Sequence, residues 1–64
     1  MSKSIREIIK DEITSKAKHY QSLTPNDIAG MTDFAVKMLD EGKAKDYQDA
    51  IYLAFDNEFQ GGSV

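Results

Sequence analysis

The chain has 64 residues, 41% hydrophobic and 30% charged, with net charge −3 and no cysteine. Such a length gives one domain, which buries only about 60% of the surface its unfolded form exposes. Disulfides and thiolate metal sites are excluded, which leaves regular helix packing, a second copy or a partner as sources of stability.

The composition is too apolar for a disordered acidic tail. The stretch MSKSIREIIKDEI has no apolar h-region, so no secretory signal is expected. No apolar run approaches the roughly 20 residues of a membrane span. With cysteine absent as well, the expectation is a soluble cytoplasmic protein. Charge is uneven along the chain. Residues 1–23 carry five basic and three acidic side chains, a net of +2, whereas residues 24–64 carry three lysines and eight acids, a net of −5.

The first predicted helix covers about residues 4–21. Ser4 and Glu7 have the spacing of a capping box. Ile5, Ile8, Ile9, Ile13, Ala17 and Tyr20 then recur at three- and four-residue steps, the period of one helix face. Lys16 falls at an angle inside that apolar stripe, where its stem can lie along the surface and its ammonium reach water. Glu12 and Lys16 have the spacing of a favourable ion pair.

The second predicted helix covers 25–41. Thr24 is placed to cap it, Pro25 suits its first position, and Asp27 meets the positive end of the dipole. Ile28, Met31, Ala35, Met38 and Leu39 share about 100° of arc. Gly30 costs roughly 1 kcal/mol relative to alanine inside a helix, so it marks a close-packing point or a break, the latter with Thr32-Asp33 capping a new helix. One continuous helix is the preferred reading. Gly42 sits where a left-handed residue ends a helix.

The third predicted helix covers 46–60, capped by Asp46 with Asp49 in its first turn. Gly61-Gly62 end it, and 61–64 read as a flexible tail after a single domain over 1–60. No stretch shows strand alternation. The fold expected is all-α, a small three-helix bundle whose short linkers make neighbouring helices antiparallel.

Catalytic, cofactor-binding and metal-ligating constellations are not evident. His19 is the single histidine and has neither an orienting acid nor further ligands at a useful spacing. In DEGKAKD, lysines stand where a calcium loop needs oxygen ligands. Gly61-Gly62 follows no strand and opens no helix, as a phosphate loop must. Neither enzymatic activity nor a small-molecule substrate is expected. Lys3, Arg6 and Lys10 lie on one flank of the first helix and are candidate phosphate contacts, although no aromatics interleave with them.

The third helix carries more apolar surface than one buried face requires. Tyr47, Ala50, Ile51, Ala54 and Phe55 form a compact face, while Tyr52 and Phe59 extend it to one side and Leu53 lies beyond. Aromatics are enriched in interface cores. Tyr52, Leu53 and Phe59, with Asp49 and Asp56 beside them, are therefore the candidate partner-binding residues. Burying two such apolar side chains contributes about 3–5 kcal/mol before the costs of association.

Residues 36–59, VKMLDEGKAKDYQDAIYLAFDNEF, resemble the helical hairpin of ribbon-helix-helix proteins, among them some bacterial antitoxins. Gly42, Asp46 and Ala50-Ile51 carry the resemblance. That family reads DNA with a β-ribbon just before the hairpin, where this chain has a proline-started helix, so no DNA-contacting residue carries over. The first functional expectation is a non-enzymatic interaction module, a regulator, inhibitor or accessory protein that binds a protein partner or forms a homodimer through the third helix. The alternative is a dimeric DNA-associated regulator, antitoxin-like, using Lys3, Arg6 and Lys10 on nucleic acid.

Overall fold

The computed structural model describes residues 3–20 and 22–60, so the tail expected at 61–64 lies outside the described residues. It contains three helices, α1 (Ile5–Ala17), α2 (Pro25–Asp40) and α3 (Tyr47–Gln60), and no strand among the described residues. The fold is a small all-α three-helix bundle. No helix of the described residues is long and apolar enough to cross a membrane.

Half of the expected capping box opens α1. The Ser4 hydroxyl accepts the Glu7 backbone N–H at 3.3 Å. Ile9, Ile13 and Ala17, four residues apart, form its buried stripe. The helix ends at Ala17, earlier than the periodicity through Tyr20 predicts. Two tight i→i−3 bonds follow, His19 N–H to Lys16 C=O at 3.1 Å and Tyr20 N–H to Ala17 C=O at 2.9 Å. The physical reason lies across the bundle. Outside the helix, the Tyr20 ring packs 5.7 Å from Phe55 and 5.2 Å from Phe59, centroid to centroid.

Both halves of a capping box open α2. Asp27 N–H donates to the Thr24 hydroxyl at 3.2 Å, and Thr24 N–H donates to the Asp27 carboxylate at 3.0 Å. Pro25 needs no donor at the first position. The helix runs unbroken through Gly30. A side chain there would meet nothing within 4 Å, so Gly30 is neither a break nor a close-packing point. Thr32 does not cap a new helix either. It is buried and satisfied, its hydroxyl donating to the Ile28 carbonyl at 2.8 Å.

Gly42 ends this element as expected, in the left-handed region at φ +75°. Gly42 N–H bonds the Leu39 carbonyl at 3.1 Å and Lys43 N–H bonds the Met38 carbonyl at 2.9 Å, the two bonds of a Schellman motif. The turn carries Ala44 into the core. Asp46 then opens α3, its carboxylate accepting Asp49 N–H at 2.8 Å and its carbonyl accepting Ala50 N–H at 3.0 Å.

Ile9 and Ile13 of α1, Met31 and Ala35 of α2, and Ala50, Ile51 and Ala54 of α3 meet in the core with Ala44. Leu23, Ile28, Phe34, Met38, Tyr47 and others pack around it, half-buried. Helix α2 packs extensively on both of its neighbours, whereas α1 and α3 touch least. Tyr20, just past α1, lies beside Phe55 and Phe59 near the end of α3, so α1 and α3 run parallel.

Candidate functional site

Because α1 and α3 are joined mainly through α2, a groove of about 550 Å³ opens between them. Its α1 wall is Glu12, Lys16 and Tyr20, spaced four residues apart. Its α3 wall is Gln48, Tyr52, Asp56 and Phe59, with Ile51 and Phe55 between the walls. Ile9 and Lys16 share nearly one angle on α1, seven residues apart. Yet Ile9 is fully buried and Lys16 is exposed, which places the opening toward the C-terminal end of the helix.

The groove is aromatic. Tyr20 tilts at 44° to Phe55 and 47° to Phe59, and the two phenylalanines stack at 6.1 Å and 23°. Such pairs contribute about 0.5–1.5 kcal/mol each beyond their area. They also leave apolar surface in water, with Tyr52 67%, Phe59 46% and Tyr20 45% exposed.

Of the residues expected to bind a partner, the structure brings Tyr52, Phe59 and Asp56 together in this groove. Tyr52 and Phe59 lie within about 20° of each other around the helix. Leu53 does not join them. It lies about 100° beyond Tyr52, half-buried against the core. Asp49 is occupied by capping, its carboxylate accepting the Lys45 N–H at 3.2 Å. Sequence reasoning missed Tyr20, Gln48 and Phe55 as groove residues. The misplaced angle of Lys16 was the available signal, since a lysine within an apolar stripe marks where the neighbouring helix is absent.

The candidate phosphate contacts do not form one free cationic surface. Lys3 pairs with Asp11, whose hydrogen bond and charge hold its ammonium above the ordinary value. Arg6 reaches across to Asp33 on α2. Both pairs are more than half exposed, where such bridges are weak. Lys10 is exposed and meets no carboxylate within bridging distance among the described residues. The pair expected between Glu12 and Lys16 is not closed, and both side chains line the groove. His19 is exposed beyond the end of α1. Among the described residues, no three His, Asp or Glu side chains converge as a metal site would require.

A second depression, of about 510 Å³, lies at the opposite end between Ile5, Val36, Leu39 and Tyr47. Comparison with protein-family models, with curated proteins and with solved structures finds no match to this chain.

Proposed function

We propose that this protein is a small non-catalytic interaction module of the cytoplasm, a regulator or accessory protein that binds another polypeptide through the groove between α1 and α3. The supporting observation is the exposure of Tyr52 beside half-exposed Phe59 and Tyr20, around a core built largely of alanine and isoleucine. Clustered aromatics in a groove are the anchors that dominate binding energy in interfaces. A polypeptide that covers them removes apolar area from water without rearranging the core.

Solution mass measured across concentration, for the wild type and for Tyr52→Asp and Phe59→Asp, tests the self-association form of this reading. Assembly lost in both variants supports it. Capture of a partner by the wild type and by neither variant supports the hetero-association form. Assembly or capture unaffected by both substitutions overturns the groove as the binding surface. The DNA-associated alternative requires affinity that falls steeply with salt. The carboxylates paired with Lys3 and Arg6 weigh against it.

A further inference from the structure

We infer that the groove is closed by a second copy of this chain, packed antiparallel about a two-fold axis that crosses α1 between Glu12 and Lys16 and crosses α3 at Tyr52. The inference rests on the proposed interaction function and names the occupant of the groove.

Charge selects the occupant. Glu12 and Lys16 stand four residues apart on the α1 wall, both exposed, and neither closes an ion pair among the described residues. An occupant of a single sign sets one of them against its like. An uncharged occupant removes both from water unpaired, which is costly. The wall is satisfied by an acid and a base in the reverse order. An antiparallel second copy supplies that order by symmetry, Glu12 of each chain meeting Lys16 of the other.

The α3 wall fits the same axis. Gln48, Tyr52 and Asp56 follow one another at four-residue steps. About an axis at Tyr52, the two Tyr52 rings meet each other, and Gln48 of each chain falls opposite Asp56 of the other. Asp56 also interacts within its own chain, and a carboxylate has room to accept the Gln48 amide as well. The two crossings lie at one height. Tyr20 packs on both Phe55 and Phe59, so in parallel helices the midpoint of Glu12 and Lys16 comes level with Ile51 and Tyr52. One axis perpendicular to the helices therefore serves both walls. It sets α1 on α1 and α3 on α3 head to tail, with opposed dipoles. It also covers the face that holds the exposed aromatics Tyr20, Tyr52 and Phe59.

The test is a charge swap on the full chain. Sedimentation equilibrium up to about 1 mM reads assembly, and circular dichroism checks that each variant is folded. The wild type should dimerise. Glu12→Lys and Lys16→Glu, each alone, bring like charges together across the axis and should weaken the dimer roughly tenfold or more. Mixed in equal amounts, the two variants should recover it as a heterodimer, and the double variant Glu12→Lys with Lys16→Glu should recover it alone. The chain has no cysteine, so single cysteines report the register. Tyr52→Cys should oxidise to a covalent dimer roughly tenfold faster than Phe59→Cys, whose two copies stand about 20 Å apart across the axis. A dimer indifferent to the charge swap, or equal trapping at both positions, overturns the inference. A monomer at every concentration overturns it too. The broader reading survives that result if the monomer captures a different polypeptide through Tyr52 and Phe59, and falls with it if it captures none.

Discussion

The two flanks of α3 are built on opposite rules. Toward α2, Ala50 and Ala54 are almost completely buried. Toward the groove, Tyr52 and Phe59 leave about half or more of their surface in water. Two small side chains of this helix thus lie in dry positions and two of its largest in wet ones. Alanine lets backbones approach closely but removes little apolar area from water. The alanines therefore fix geometry, while the exposed faces of Tyr52 and Phe59 are apolar area that only another molecule can bury.

Substitutions on each side sharpen this contrast. The largest effect is expected for Ile13→Ala in the interior, a loss of about 2–5 kcal/mol. In so small a domain that is a large share of total stability. Chemical denaturation followed by circular dichroism should show the midpoint collapse. A near-wild-type midpoint would mean the alanine-lined interior is loose enough to refill the space. Gly42→Ala comes next, since its φ of +75° is strained for any side chain. The expected cost is about 1–2 kcal/mol by the same assay, with no change in binding.

Asp49→Ala separates structure from recognition on the acidic flank. Loss of its bond to the Lys45 N–H and of its charge at the helix N-terminus should cost about 0.5–1 kcal/mol. If stability were unchanged while partner binding fell, Asp49 would belong to the interface instead of the cap. The smallest effect on stability is expected for Tyr52→Asp, within about 0.5 kcal/mol of wild type, because the side chain is mostly in water already. Thermal melts check this. A severe loss of stability would show that the tyrosine belongs to the fold, and the contrast between the flanks would fail.

Features set by adjacent residues were legible in the sequence. Thr24-Pro25, Gly42 and Asp46 punctuate the helices through bonds that span three to five residues, and the structure has each one where the capping chemistry places it. The end of α1 was not legible. No glycine or proline marks it, and Tyr20 leaves the helix to meet Phe55 and Phe59, which lie far along the chain. The burial of Ala44 also depends on where the Schellman turn aims the chain, and composition does not encode that.

The candidate site was legible in part for the same reason. A helical wheel gives the angle of Tyr52, Leu53 and Phe59 around α3, but it does not say on which side the neighbouring helices lie. The core reaches the Leu53 flank and stops short of the Tyr52 flank. The second half of the groove, supplied by α1, has no signature beyond the angle of Lys16.

The walls of the groove are each fastened to α2, and at their C-terminal ends to one another through Tyr20 on Phe55 and Phe59. Mechanically, α2 is a common spine and the three rings are a clasp across the open side. The ring contacts close the open side at the same end where Tyr52 and Phe59 meet water, so the clasp and the exposed aromatic surface are one structure.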